Sequence, residues 1–418
     1  MVLFSFLTVR LRAGSIFLLG ACAALSPAFG QSLKEAVRIG TERDPTVEAL
    51  QRAVARETTN IEIAKDGKRP QVSVSGATST TDDDPALTVT VSQVLVDWGL
   101  VKSQIAAASL TRVKVVAQLK MAVEDLSLEI SELYLELETL DLKIAKTQNY
   151  IDLANRIEGF SRSRLLAGLS DSAEIARARL EIARAEERMT QLQADRMITL
   201  SQLEFLLGKP VSNPGIPPNL AFTDQFASSA NVIAAIVIAP AYVDAKADLD
   251  IASEGIKAAK ASNKPKITLQ AQGRQDLTGG RGRSGAVGIT AGVDLNSSSF
   301  SGRAVVAAEQ DKAAAESRLK AVERDLQNTV RVYVEQIRVL RGNEASQQRQ
   351  LDQAGEVLAA YEQQFIAGKR ELIDLLTTGR DHYEAEMDKI ETYKERKYTE
   401  YAAAHSVGML GSLLFGTR

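Results

Sequence analysis

The 418-residue chain has a single cysteine and two histidines. A disulfide framework is therefore excluded, and Cys22, His382 and His405 cannot together build a Cys/His metal site. Aromatic residues make up only 5% of the chain, against 45% hydrophobic and 25% charged. That balance is too apolar for disorder, so an ordered core is expected. Beyond residue 30 there is no run of about 18 apolar residues, and no transmembrane helix is expected there. Proline is the most informative scarcity: there are ten, at residues 27, 45, 70, 85, 210, 214, 217, 218, 240 and 265. None falls between 86 and 209 and none follows 265, which leaves two stretches free to form very long helices.

Residues 1–30 have the layout of a secretory signal peptide, with Arg10 and Arg12 ahead of an apolar stretch from Ala13 to Leu25. Ser26-Pro27 breaks that stretch, and the small residues Ala28 and Gly30 suit cleavage before Gln31. Leu19-Gly20-Ala21-Cys22 offers a competing reading as a lipoprotein signal, with Cys22 as a possible lipidation site. Without Arg10 and Arg12, 48 of the 50 basic residues remain against 53 acids, a net charge of −5. This mild acidity argues against nucleic acid as a partner.

The remainder reads as a tandem duplication, 31–210 and 226–411, joined by a proline-rich linker at 211–225 and followed by a short tail, 412–418. Asp44-Pro45 matches Ala239-Pro240 and Arg69-Pro70 matches Lys264-Pro265, both at an offset of 195. Leu166-Ala167-Gly168 matches Ile366-Ala367-Gly368 at 200, and Leu207-Gly208 matches Leu410-Gly411 at 203. Each half predicts a helix, two strands, a very long helix, a turn and a further helix. The strands are expected at about 71–79, 86–95, 266–273 and 286–295, from period-two sets such as Leu87, Val89, Val91 and Val287, Ile289, Ala291. The long helices are expected at about 97–165 and 302–366, and the helices after the turns at about 171–207 and 371–411.

From Leu100 to Glu158 there is no glycine or proline, and an unbroken helix would run about 90 Å. Leu119, Val123, Leu126, Ile130, Leu133, Leu137, Leu140 and Ile144 step alternately by four and three, a heptad seam. Leu326, Val330, Tyr333, Ile337 and Leu340 repeat it at an offset of 200. Second stripes, Leu128, Leu135 and Leu142, then Val332 and Val339, suit a helix with a neighbour on each side, hence a sheet or barrel of helices. Strands of nine or ten residues span a bilayer when tilted, but four cannot close a membrane barrel and an open edge in lipid leaves backbone groups unpaired. Either the strands form ordinary soluble hairpins or several chains pool them. Three chains would supply twelve.

With these features in place, the sequence resembles the outer-membrane efflux protein family, the TolC-like exit ducts. The resemblance rests on Asp44-Pro45, on Arg69-Pro70 before the first strand, and on Ser92–Gly99 leading into the long helix. It rests most on the two hairpin turns, Phe160–Arg179 and Phe365–Leu376, and it covers essentially all of 31–411. It implies a mainly α fold with short β: a homotrimer with a 12-stranded outer-membrane β-barrel and an α-helical periplasmic barrel. It also implies a periplasmic adaptor docking at the turns Ala167, Gly168, Leu169 and Ala367, Gly368, Lys369, and an inner-membrane ABC or proton-driven transporter as the energy source. Carried over by position, Asp374, Arg370 and Phe365 would form the pore constriction. Thr377 stands where the family has a second aspartate, so the acidic ring is expected to be thinner. Asp97, Trp98 and Gly99 mark the strand–helix junction, with Trp98 at the membrane interface or in a packed core.

Other motifs carry less. Gly279–Gly285 lacks the Lys-Ser/Thr of a phosphate loop and is expected to be an external hairpin loop. Asp82-Asp83-Asp84 has no cation-ligand spacing around it, and Arg177, Arg179, Arg184 and Arg188 interleave with glutamates as an ion-paired surface. No catalytic constellation, cofactor motif or metal site is readable. The expected function is a passive exit duct, leaning to type I protein secretion because of Val96–Gly99 and Gly168–Asp171. A small-molecule efflux duct and a periplasmic coiled-coil adaptor or scaffold are the alternatives.

Overall fold

The computed structural model describes residues 32–77, 85–220, 229–277, 283–293 and 302–415. The signal segment with Cys22 and the loop at Asp82–Asp84 lie outside the described residues. The first half contains α1 (Leu33–Arg43), α2 (Pro45–Asp66), β1 (Gln71–Ala77), β2 (Ala86–Val96), α3 (Leu100–Leu166) and α4 (Ser172–Leu207). The second contains α5 (Ser229–Ile238), α6 (Pro240–Ser262), β3 (Lys266–Asp276), β4 (Arg283–Gly292), α7 (Arg303–Ile366), α8 (Leu372–Ser406) and α9 (Leu410–Phe415).

Each half opens with two helices where the sequence predicts one. A residue before proline is pushed out of the helical region, and Asp44 (ψ 124°) and Ala239 (ψ 134°) are extended accordingly. Asp44 then caps α2, accepting from the Val47 amide at 2.8 Å. The helix expected over 371–411 also divides. It stops at Ser406, Gly408 adopts φ 68°, and α9 runs on into the expected tail. Gly408, not Gly411, is thus the counterpart of Gly208 (φ 64°), and the offset there returns to 200. Part of the glycine-rich segment, from Arg283, is strand and not loop.

The four strands form one antiparallel sheet in the order β1-β2-β3-β4. Its register pairs Val74 with Val89, Val91 with Ala271, and Leu269 with Ile289, so one face carries valine, leucine, isoleucine and alanine from every strand. The opposite face carries Ser73, Thr90, Gln270, Gln272 and Thr290, with the Thr268 and Thr290 hydroxyls 3.1 Å apart. Among the described residues no helix covers the apolar face: Val72 is 66% exposed, Val287 76% and Ile289 68%. A soluble half-buried hairpin would have hidden those side chains.

The long helices, 67 and 64 residues, extend for about 100 Å. Near the strands α2, α3, α6 and α7 lie side by side, and near the hairpin turns the order is α4, α3, α8, α7. The predicted seam is buried, with Leu126, Ile130, Leu137 and Leu140 matched by Leu326, Val330, Ile337 and Leu340, and Leu135 of the second stripe is buried too. Leu142, Val332 and Val339 of the second stripes are exposed in a single copy. No helix of the described residues is long and apolar enough to cross a membrane.

At the waist, α1, α9 and the ends of α4 and α8 pack on α3 and α7 in the largest core cluster. The proline-rich linker is strapped here. Lys397, 1% exposed, donates to Glu138 at 2.9 Å and to the Pro217 carbonyl at 2.9 Å, and the Tyr401 hydroxyl donates to the Pro218 carbonyl at 2.7 Å. Nearby, the Gly411 amide donates to both carboxylate oxygens of buried Glu124 at 3.2 Å. Burial outweighs that hydrogen bond and raises the Glu124 pKa above the ordinary carboxylate value. A raised folded-state pKa gives stability below the unfolded pKa that is lost as pH climbs through the folded one. Glu124→Gln is therefore expected to raise the melting temperature at pH 7, with the gain over the parent shrinking as pH falls towards 4. A gain that grows on acidification would contradict this assignment.

Candidate functional site: the helical tip and the strand–helix junction

The two hairpin turns close in the same way. Leu169 donates to the Arg164 carbonyl at 2.9 Å and Lys369 to the Gln364 carbonyl at 2.8 Å, each spanning five residues. These are Schellman closures, with Gly168 (φ 70°) and Gly368 (φ 74°) supplying the left-handed residue. Ala167 and Ala367 cap α3 and α7. The turns present apolar groups outward, Leu166 at 85% and Leu169 at 67% exposed, beside exposed Lys369. The exits differ, because Asp171 caps α4 through the Ala173 and Glu174 amides whereas Glu371 makes no such bond to α8.

Of the predicted constriction residues, Arg370 and Asp374 come together, Nη1 to Oδ2 at 3.4 Å, both partly exposed. Arg370 also lies 3.9 Å over the Tyr361 ring and donates to Gln364 at 3.2 Å, so the guanidinium is held on α7 while its charge faces α8. Thr377 is half-buried, one turn along α8 from Asp374. Phe365 is 0% exposed within one copy, packed with Ile157, Leu372 and Leu375.

Arg164 is the tip residue that sequence reasoning missed. Its guanidinium sits 4.9 Å over the Phe365 ring and donates to the Phe365 carbonyl at 3.2 Å, tying the first turn to the second. The signal was available in the repeat, since position 364 is glutamine. Farther up, α8 approaches α3 closely at Gly379, where a Cβ would sit 3.2 Å from Leu153 Cδ2. Tyr150 and Tyr383 stack at 4.7 Å just above.

The junction is built by Asp97, whose carboxylate accepts from the Gly99 amide at 3.0 Å and the Val101 amide at 2.8 Å, starting α3 three residues later than the sequence suggested. Trp98 (φ 55°) and Gly99 (φ 93°) turn the chain from sheet to helix. Trp98 is 52% exposed and not a core residue; its indole donates to the Pro265 carbonyl at 2.8 Å, and Lys264 lies 5.0 Å over the ring. That bond ties the β2 exit to the β3 entry. Among the described residues no group of three or more His, Cys, Asp or Glu side chains could hold a metal ion.

No curated protein matches the sequence. Solved structures match the fold along most of its length. VceC, an outer membrane protein from Vibrio cholerae, superposes with a TM-score of 0.77 at 14% identity, covering 90% of this chain and 96% of that one. A membrane protein from Pseudomonas aeruginosa gives 0.77 at 17%, covering 90% of each chain. The open-state MtrE outer membrane channel of Neisseria gonorrhoeae gives 0.72 at 17%, covering 90% and 89%. The family model described as outer membrane efflux protein matches residues 40–209 and again 235–404, once in each half. The chain therefore belongs to the outer membrane efflux protein family.

Proposed function

We propose that three copies of this chain close into a passive exit duct, a 12-stranded barrel in the outer membrane continued by a helical tunnel through the periplasm. One observation carries the reading. A four-stranded sheet, apolar on one face and polar on the other, is open at β1 and β4 and continuous with helices of about 100 Å. In lipid those edges must be paired, and head-to-tail addition of identical strips pairs them without residue. The helical layers are open on the corresponding sides, at α4 or α2 and at α7.

The turns Ala167-Gly168-Leu169 and Ala367-Gly368-Lys369 then face a periplasmic adaptor, and an inner-membrane ABC or proton-driven transporter supplies the energy. The chain itself performs no catalysis and takes no cofactor. Val96–Gly99 and the Gly168–Asp171 turn support a polypeptide cargo of the type I secretion class, and a small-molecule efflux duct is the second reading. Expression in a strain lacking its own duct separates them. Export of a polypeptide bearing a C-terminal secretion signal is expected; restored dye efflux without polypeptide export overturns the cargo class.

Asp374, three per trimer, would set the charge at the narrow end, opposed by Arg370. In planar bilayers the purified protein is expected to form channels, and Asp374→Asn to shift their reversal potential towards anions because Arg370 is left unopposed. An unchanged reversal potential would remove Asp374 from the constriction, and a complete lack of conductance by the parent would sink the duct.

A further inference from the structure

At one end of the sheet the chain crosses between helix and strand four times. The register puts the starts of β1 and β3 and the ends of β2 and β4 at one level, with Gln71 paired to Ser92, Val96 to Ile267 and Lys266 to Gly292. Five cations gather there, Lys68, Lys102, Lys264, Lys266 and Arg303, all exposed and without a carboxylate partner among the described residues. The carboxylates beside them are engaged elsewhere. Asp66 holds Arg69 at 2.7 Å, Glu309 holds Lys260 at 3.6 Å, and Asp97 accepts from the Gly99 and Val101 amides. This basic rim runs against the net charge of the whole chain, which is −3.

Folding does not explain these charges. A base in the last turn of a helix complements its dipole, as Lys65 and Lys260 do on α2 and α6. Lys102 and Arg303 stand instead in the first turns of α3 and α7, where the dipole opposes a cation and neither helix carries an acid. Lys68 and Lys264 lie in the crossings, outside helix and strand. A neighbouring copy would not neutralise them either. With sheets joined edge to edge, Arg303 after β4 of one copy comes beside Lys68 before β1 of the next, base beside base.

The rim has two sides. Lys266 alternates with Thr268 and Gln270 and so belongs to the polar face. Lys68 borders the apolar face, because Gln93, paired with Leu269 on that face, donates to the Lys68 carbonyl at 3.1 Å. Lys264 lies 5.0 Å over the ring of Trp98, which is 52% exposed. Indole and ammonium groups together suit the depth where acyl chains give way to headgroups.

We propose that this rim binds the phosphates of anionic phospholipids in the leaflet facing the periplasm, with Lys68 and Lys264 as its lipid-facing contacts. Ammonium groups on flexible stems reach phosphodiester oxygens without a fixed geometry. Each lysine near an anionic bilayer surface strengthens binding by about fivefold. The inference rests on the outer-membrane duct proposed above and goes beyond it, since an apolar band alone seats a barrel in lipid.

Trp98 is the sole tryptophan of the chain, so its fluorescence reports the lipid beside the rim. The full chain is reconstituted in phosphatidylcholine bilayers containing brominated phosphatidylglycerol or brominated phosphatidylcholine at equal mole fraction. Quenching is read relative to the same protein in unbrominated lipid. Phosphatidylglycerol is expected to be preferred by at least about fivefold, the contribution of one lysine. Lys68→Gln combined with Lys264→Gln is expected to abolish that preference, and Lys266→Gln to retain it. Equal quenching by the two lipids in the parent overturns the proposal, as does a preference that survives the double variant. Loss of the preference in Lys266→Gln overturns the assignment of the contacts to the apolar side. A preference erased by inorganic phosphate at constant ionic strength overturns the lipid as the source of the anion. Absence of quenching by either lipid puts Trp98 outside the bilayer and sinks the duct as well.

Discussion

Lys397→Ala is expected to destabilise the folded protein by about 3–5 kcal/mol, because it leaves a buried carboxylate without its cation. Lys397 is 1% exposed and the side chain of Glu138 only 11%. Tyr393 also donates to Glu138 at 2.9 Å, which softens the loss without neutralising the charge. The Pro217 carbonyl loses its donor in the same variant, so the linker between the halves loosens as well. The double variant Lys397→Met, Glu138→Leu separates the causes. Replacing a buried ion pair by apolar groups of similar volume is often close to neutral, so most of the stability should return while the linker contact stays broken. Thermal unfolding of detergent-solubilised protein checks both. A single variant as stable as the parent would show that the pair contributes nothing; a double variant no better than the single would assign the loss to the linker.

The second large effect concerns the sheet. A lysine or arginine on the lipid face of a membrane barrel costs about 2–4 kcal/mol near the bilayer midplane. Val89 and Ile289 lie on the apolar face, mid-strand, paired with Val74 and Leu269 respectively. Val89→Lys or Ile289→Arg should sharply reduce the amount of assembled protein in outer-membrane fractions. Thr90→Lys, one residue away on the polar face, should assemble normally and alter conductance instead. In a trimer each substitution acts three times, which magnifies the contrast. Equal assembly of Val89→Lys and Thr90→Lys would mean that neither face meets lipid, and the barrel would be wrong.

How much of this was legible in the sequence depended on whether a feature repeats. Pro45 and Pro240, the seam from Leu126 to Leu140, and Gly168 with Gly368 each occur twice, so periodicity and spacing exposed them. The residues that were missed occur once. Arg164 corresponds to Gln364 across the repeat and Lys397 to Met197, and neither counterpart can make the same contacts. The burial of Phe365 was not legible because position along a helix fixes height but not which side of the helix meets its neighbours. Only packing against α3 and α8 decided that. The division of each opening helix at Pro45 and Pro240 was written in the prolines themselves, whereas the stop at Ser406 depended on Gly408 adopting a positive φ, which spacing alone could not distinguish from Gly411.

Gly379 carries a mechanical consequence. It lets α8 lie close against α3, and the equivalent residue on α4 is Arg179, whose guanidinium is held by Glu158 at 3.2 Å. In the proposed three-copy ring of twelve helices, three of the twelve joints, the α8–α3 ones, would be tight at this level. Such a ring would not dilate isotropically: its stiffness would be concentrated at three points, and radial strain would open a three-lobed aperture before a round one.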